Sequence, residues 1–352
     1  MSILVLNSGS TSLKYKLFSK NSLKVLKSGN FQDLSKQSDH FIACKSIIKQ
    51  IKSLPDIKIA GHRIVHGGNK FLKPTIINDS NFNILSKFNN LAPLHNPRQL
   101  KVLQLARKLL PNVSHLAVFD TSFFADLPEK AKVYAIPLKY YKKYGIQRFG
   151  FHGISHKYAA QQAAEKLKKR LNSINLITCH LGGGCSIVAI KGGRAIDTSM
   201  GFTPMSGLVM MSRCGDLDPA LIFHLNHNFN LSNNKIYNLL NFESGIKGLF
   251  GKSNFLQLLK AVKKRNKKAQ LAFDVFIYSI QKYISSYYGI LGKVNAVVFT
   301  GAIGTGDPYT VQKIKQGLPI FKKTKILRIN TNEEVAIAKE CILLWNAKNR
   351  KI

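Results

Sequence analysis

One layout occurs twice in this chain, and it constrains the fold more than any other feature. From residue 2 the sequence runs "SILVLNSG", "STSLKYKLFS" and "SLKVLKSGNF"; from residue 174 it runs "INLITCHLGGG", "CSIVAIKGG" and "RAIDTSMG". Each copy reads as three short antiparallel strands with Gly or Asn at the turns. The residues differ but the order of strand, small-residue turn, strand, turn, strand is shared. In both copies the first turn holds the most small residues. Each meander leads into helix-like and strand-like stretches, which predicts a duplicated α/β domain with a cleft between the copies. A chain of 352 residues is long enough for two such domains.

Periodicity places the other elements. Apolar residues recur at helical spacing from "LHNPRQL" (94–100) through "KVLQLARKLL". A second helix is expected over 155–171 with Ser155 as its N-cap, and a long one over 266–289. "VNAVVFTGAIGTG" (294–306) reads as a buried strand entering a glycine turn, and "NEEVAIAKECILLW" as an amphipathic helix. No low-complexity linker divides the halves.

The hydrophobic content of 45% and mean hydropathy of −0.06 describe a soluble globular chain. No apolar run reaches the length of a membrane span, and the N-terminus lacks the pattern of a signal peptide, so a cytoplasmic protein is expected. The five cysteines form no C-x-x-C pair, which suits reduced thiols. The cluster of Cys179, His180 and Cys185 matches no zinc spacing. The net charge of +36 is compatible with nucleic-acid binding. Yet the lysines are spread along the chain, and the one dense run, "KAVKKRNKK" (260–268), reads as a solvated helix face. Enrichment in Asn, Ile and Lys fits compositional drift better than a nucleic-acid partner.

Chemistry-bearing residues stand at the ends of apolar runs, where α/β proteins build their sites. The turn "NSGSTS" after the first strand, with Lys14 beyond it, is suited to a phosphate: small residues admit backbone N–H groups, hydroxyls donate, and the lysine adds charge. Taken alone it reads more readily as an ordinary hairpin turn. Arg63 lies inside the apolar run "AGHRIVHGG" and needs an anionic partner, either a structural ion pair or a ligand carboxylate or phosphate. Asp120 ends the strand-like "HLAVFD", as a metal-side or acid/base group or as a turn former. His152 and Arg213 sit in glycine-punctuated loops, and Asp216 and Asp218 stand close enough in sequence to pair with Arg213. Two arginines, a histidine, a lysine and a few acids together suit phosphoryl transfer, which needs positive charge around the transferred group and in-line positioning.

The ordered set "LNSGSTSLK", "GHRIVHGG", "LAPLHNP", "FDTSF", "FGFHGISH", "DTSMGFTPMSGLVM", "SRCGDLDP" and "TNEEVAIA" resembles the acetate kinase family of the actin and sugar-kinase superfamily, over nearly the whole chain. The resemblance implies two ribonuclease-H-like domains around a cleft, one made of 1–122 plus 333–352 and the other of 123–332, the latter carrying the nucleotide side and a homodimer interface. It implies reversible transfer between ATP plus acetate and ADP plus acetyl phosphate, with Mg²⁺ or Mn²⁺ as cofactor. It assigns Asn7 and Glu333 to the metal, and Asp120, His152 and Arg213 to catalysis. Arg63 would bind the substrate carboxylate or acyl phosphate, and Val65, Leu94, Phe151 and Pro204 the acyl tail. Ser10, Ser12 and Lys14 would sit near the ATP phosphates, with His180, Leu181, Gly182, Gly183 and Gly184 and then Ala302, Ile303, Gly304, Thr305 and Gly306 on the nucleotide side. A propionate or butyrate kinase, and a degenerate or non-ATP-using paralogue, are the competing readings.

Departures from the family pattern fall on the nucleotide side. Gly183 stands where the family has asparagine and Met211 where it has glycine. "SNFLQ" (253–257) lacks the arginine of the block that cradles adenosine, and Thr305 and Gly306 replace Glu and Asn. Weaker ATP binding, another phosphoryl donor and a decayed copy all fit these changes.

Overall fold

The structure is a computed structural model that describes residues 1–9, 11–34, 36–51 and 56–349. The chain divides into two compact units: residues 1–125, 152–158 and 332–352 form the first, and residues 126–151 and 159–331 the second.

In the first unit β1 (Ser2–Ser8), β2 (Leu13–Ser19) and β3 (Val25–Phe31) make the expected antiparallel meander. β4 (Ile57–Ile64), the two-residue β5 (Thr75–Ile76) and β6 (Ser114–Phe119) complete a sheet ordered β3-β2-β1-β4-β6-β5. β4 runs parallel to β1, and β6 parallel to β4. β1 is buried along its whole length, which explains why it reads as an unbroken apolar run and not as an alternation. One sheet face puts Leu4, Leu6, Leu13, Tyr15 and Leu17 against Ala43, Cys44, Ile47 and Ile48 of the helix Gln37–Ile51, together with Val102, Leu105 and Ala106 of the helix Asn96–Leu109. The other face puts Ile3, Val5, Ile59, Leu116 and Val118 against Ile337, Ala338 and Cys341 of the C-terminal helix Glu333–Asn349. That helix closes on β4 at Gly61, where an added Cβ would lie 2.5 Å from Ile337 Cγ2 and 2.7 Å from Cys341 Sγ. Its burial is less one-sided than its sequence suggests: Val335, Ile342, Leu344 and Trp345 are partly buried and Leu343 is exposed.

In the second unit β7 (Asn175–Leu181), β8 (Cys185–Lys191) and β9 (Arg194–Thr198) form the second meander. β10 (Ala296–Thr300) and β11 (Lys325–Arg328) continue it in parallel, giving the order β11-β10-β7-β8-β9. Reversed, this order matches β3-β2-β1-β4-β6 of the first unit strand for strand, so the duplication extends past the meander to the two parallel strands beside it.

Three local expectations are corrected. The helix expected over 155–171 spans Gly153–Leu167, and Ser155 is buried within its first turn. Two left-handed residues flank it, His152 at φ 57° and Lys168 at φ 52°, and the latter ends the helix as a glycine would. The glycine stretch after β10 is a short helix, Gly301–Gly306, and not an open turn. The basic run 260–268 is broken between two helices, Phe255–Lys263 and Lys267–Leu291, where Asn266 caps the second by accepting from the Ala269 amide.

Candidate active site

In the first unit the C-terminal ends of parallel β1, β4 and β6 deliver Asn7, Arg63 and Asp120, and the C-terminal helix begins beside them with Glu333 and Glu334. Arg63 is the hub. Its Nε and Nη2 donate to Asp120 Oδ2 at 3.1 and 2.7 Å, and its Nη1 donates to Glu333 Oε2 at 3.0 Å and to Asn7 Oδ1 at 3.4 Å. Asn7 Nδ2 in turn donates to Glu333 Oε2 at 3.0 Å and Glu334 Oε1 at 2.8 Å. Lys16 pairs with Glu334 at 3.3 Å and donates to Asn332 Oδ1 at 3.0 Å.

The charge balance of this network is uneven. Burial opposes ionisation of Arg63, but the Asp120 and Glu333 carboxylates outweigh it and hold the guanidinium charged. Burial pushes the Asp120 carboxyl up to about 6 against the pull of Arg63, and the charge of Glu333 adds to the rise. Asp120 Oδ1 is buried and has no well-formed hydrogen bond, although the Ile154 amide adds a favourable contact to the carboxylate. That amide can come close because Gly153 lets the helix start pack on the Asp120 backbone; a Cβ there would lie 2.1 Å from the Asp120 carbonyl oxygen. His152 immediately precedes the same helix and is half-buried.

No group of three His, Cys, Asp or Glu side chains suited to a metal occurs among the described residues. The donors present are the carboxylates of Asp120 and Glu333 and the amide of Asn7, with one buried Asp120 oxygen lacking a good donor. All are hard oxygen ligands, and few in number. They fit Mg²⁺, which keeps several waters and takes its remaining ligands from phosphate oxygens.

The turn after β1 is closed by Gly9 N donating to Ser12 O at 2.8 Å. Ser10 lies outside the described residues. Lys14 pairs in register with Asn7, so the two side chains share a sheet face, and Lys14 is exposed there. Val65 is buried just beyond β4, and Leu94 is half-buried.

In the second unit Arg213 is half-buried and its Nη1 donates to Pro204 O at 3.3 Å. Neither nearby acid pairs with it: Asp216 accepts from Gly207 N, and Asp218 from Ala220 N. Among the described residues Arg213 forms no ion pair, and burial lowers its pKa. Phe151 is 2% exposed. His180 and Leu181 end β7, Gly182 N bonds Gly184 O at 3.1 Å, and the helix holding Ala302, Ile303, Gly304, Thr305 and Gly306 begins against the Leu181 carbonyl. Thr305 turns its hydroxyl back to Gly301 O at 2.9 Å, and Gly183 faces open space where a side chain would fit.

The sequence model of the Acetokinase family matches residues 27–322. The chain belongs to the Acetokinase family. An acetate kinase of Alkaliphilus metalliredigens is 39% identical, over 97% of this chain and 99% of the relative. Among solved structures, the acetate kinase of Porphyromonas gingivalis superposes with a TM-score of 0.90 at 32% identity, covering 98% of this chain and 99% of the other. A propionate kinase from Francisella tularensis gives 0.87 at 33% identity, with 96% and 98% covered. The Acetokinase fold of two duplicated α/β units, with the order of sequence blocks that pointed to it, is thereby established for this chain.

Sequence reasoning missed Lys16, Glu334 and Gln99. Lys16 follows Lys14 by two residues and shares its sheet face, and Glu334 is the second acid of "NEE", so alternation and the acidic doublet were available signals. Gln99 carried none.

Proposed function

We propose that this member of the Acetokinase family transfers a phosphoryl group reversibly between ATP and acetate, giving ADP and acetyl phosphate. The observation that carries the reading is the clamp around Arg63, a guanidinium held between Asp120 and Glu333 at the ends of β4, β6 and the C-terminal helix. Arg63 is 15% exposed, so it is held in place and still reachable by a carboxylate. Arg213, half-buried without an acidic partner among the described residues, is a second guanidinium suited to phosphoryl oxygens.

Acetate is ionised at neutral pH, so the attacking oxygen needs no base. It bonds to the γ-phosphorus while the bond to the ADP oxygen breaks, and no proton is transferred. In this reading Arg63 orients the acetate carboxylate, Val65, Leu94, Phe151 and Pro204 are the residues assigned to the acyl tail, and His152 and Arg213 those assigned to the charge on the transferring group. Asp120, Glu333 and Asn7 would hold Mg²⁺, which neutralises donor-phosphate charge when bound. Asp120 serves here as an ionised carboxylate, consistent with a value near 6 that leaves it charged at neutral pH. Ser10, Ser12 and Lys14 take the phosphates, and the turns at 182–184 and 302–306 the nucleotide.

Acetate is proposed as the substrate over propionate or butyrate because the acetate kinases of Alkaliphilus metalliredigens and Porphyromonas gingivalis match nearly the whole chain. Homodimerisation fits the helix Ala220–Phe229, which buries none of its residues while Phe223 and Phe229 are 64% and 62% exposed. No helix among the described residues is long and apolar enough to cross a membrane, and a cytoplasmic enzyme is proposed.

A donor panel tests the reading: purified protein with acetate and Mg²⁺ plus ATP, GTP or pyrophosphate, read by phosphorus NMR for an acyl phosphate. ATP should give the signal and Arg213→Ala should lose it. A signal with pyrophosphate alone would overturn the nucleotide, and none with any donor would overturn the kinase.

A further inference from the structure

The ladder between β1 and β4 ends before their turns begin. Leu6 and His62 are its last pair. Beyond them the chain continues through Ser8 into the phosphate-side turn and through Val65 into the acyl-side turn; the side chains of Asn7 and Arg63 still meet at 3.4 Å, but the strand ladder no longer joins the two backbones. The side chain of Gln99 fills the gap. Its Nε2 donates to Ser8 O at 2.7 Å, and its Oε1 accepts from Val65 N at 2.8 Å. Gln99 is 2% exposed, so neither backbone group has water as an alternative partner.

Each turn also has a tether of its own. Asn96, one helical turn before Gln99, accepts from His66 N at 3.0 Å and donates to His66 O at 2.9 Å. The Ser8 hydroxyl lies 3.1 Å from His40 Nδ1 in the helix Gln37–Ile51. Among these contacts only the Gln99 amide touches both turns, and it does so by donating to one and accepting from the other. A shift of about 1 Å in relative placement is enough to cost a phosphoryl-transfer enzyme a large part of its rate.

We propose that Gln99 is a positioning residue that sets the spacing between the phosphate-side turn after β1 and the acyl-side turn after β4, and so the approach of carboxylate to phosphorus. This rests on the kinase reading. Because Ser8 keeps its contact with His40 and His66 its bonds to Asn96, loss of Gln99 should act on the rate more than on either substrate's binding.

Two variants test it. Gln99→Met keeps length and loses both bonds; kcat should fall about tenfold or more while each KM changes less than about threefold. Gln99→Glu reproduces the donor and acceptor pair only when protonated, so its kcat relative to wild type should recover as pH is lowered from about 9 to 6, while the Gln99→Met ratio stays flat. A folded Gln99→Met with wild-type kcat, or a Gln99→Glu ratio as flat as that of Gln99→Met, overturns the positioning role alone. If Gln99→Met fails to fold, the Gln99→Glu profile decides. A folded wild type that forms no acyl phosphate overturns the kinase reading and this role with it.

Discussion

Removing the Arg63 guanidinium should leave a buried, like-charged pair that a proton or a cation can relieve. In Arg63→Met the packing stem is largely kept. Four donated bonds are lost, two to Asp120, one to Glu333 and one to Asn7. Asp120 and Glu333 are 1% and 13% exposed, so water replaces little of this. Truncating one partner of a buried pair costs about 3–5 kcal/mol, which is the expected loss near pH 8. The unfolded chain has both carboxylates ionised at pH 6 and at pH 8, whereas the folded variant gains a proton as the pH falls. The folded state then binds more protons than the unfolded one, so stability falls as pH rises, by at most about 1.4 kcal/mol per unit. Between pH 8 and 6 the penalty should shrink by up to about 2.7 kcal/mol. About 10 mM Mg²⁺ should stabilise the variant more than the wild type, because the ion no longer competes with Arg63. The single tryptophan, Trp345, is in the C-terminal helix and packs on the first unit's core, so its fluorescence during urea unfolding reports the affected region. A penalty independent of pH and of Mg²⁺, or a variant as stable as wild type, would refute the reasoning.

Gly61→Ala should destabilise the first unit by about 1–3 kcal/mol, because its Cβ falls 2.5 Å from Ile337 and 2.7 Å from Cys341; Cys341→Ala in the same chain should recover part of this in urea unfolding. Burial pushes His66 and His115 down to about 4, and His62, 3.0 Å from His115, down as well. The unfolded chain therefore binds more protons between about pH 6.5 and 4, and stability is lost as pH falls through that window. Asp120 and Asp197, both raised by burial, oppose this, leaving a steepest slope of about 1–3 kcal/mol per pH unit; a flat urea midpoint from pH 7 to 5 would contradict it. Val65→Ala should shift the propionate-to-acetate ratio of kcat/KM about tenfold toward propionate, read with both acids in parallel.

Much of this was legible in the sequence, for identifiable reasons. The duplicated meander was visible because β2 alternates and small residues mark the turns of both copies, and strand order confirms it in both units. Arg63 was legible because a guanidinium inside an apolar run demands an acid, and it has two. The same logic was less useful at Arg213, where Asp216 and Asp218 are adjacent in sequence but are consumed by backbone amides. Helix ends were misplaced where left-handed residues other than glycine, His152 and Lys168, set the boundary. Gln99 was invisible because its role depends on where two strands part, which no local pattern encodes.

The central claim is that the Arg63 clamp serves phosphoryl transfer to a carboxylate. A hydroxamate trap tests it most directly: folded protein, acetate, ATP and Mg²⁺, with hydroxylamine to capture any acyl phosphate, beside the same mixture with Mg²⁺ chelated and a third with Asp120→Asn. The account predicts acetyl hydroxamate in the first mixture and a loss of at least about a hundredfold in the other two. Equal signal in all three, or none from folded wild type, would contradict it.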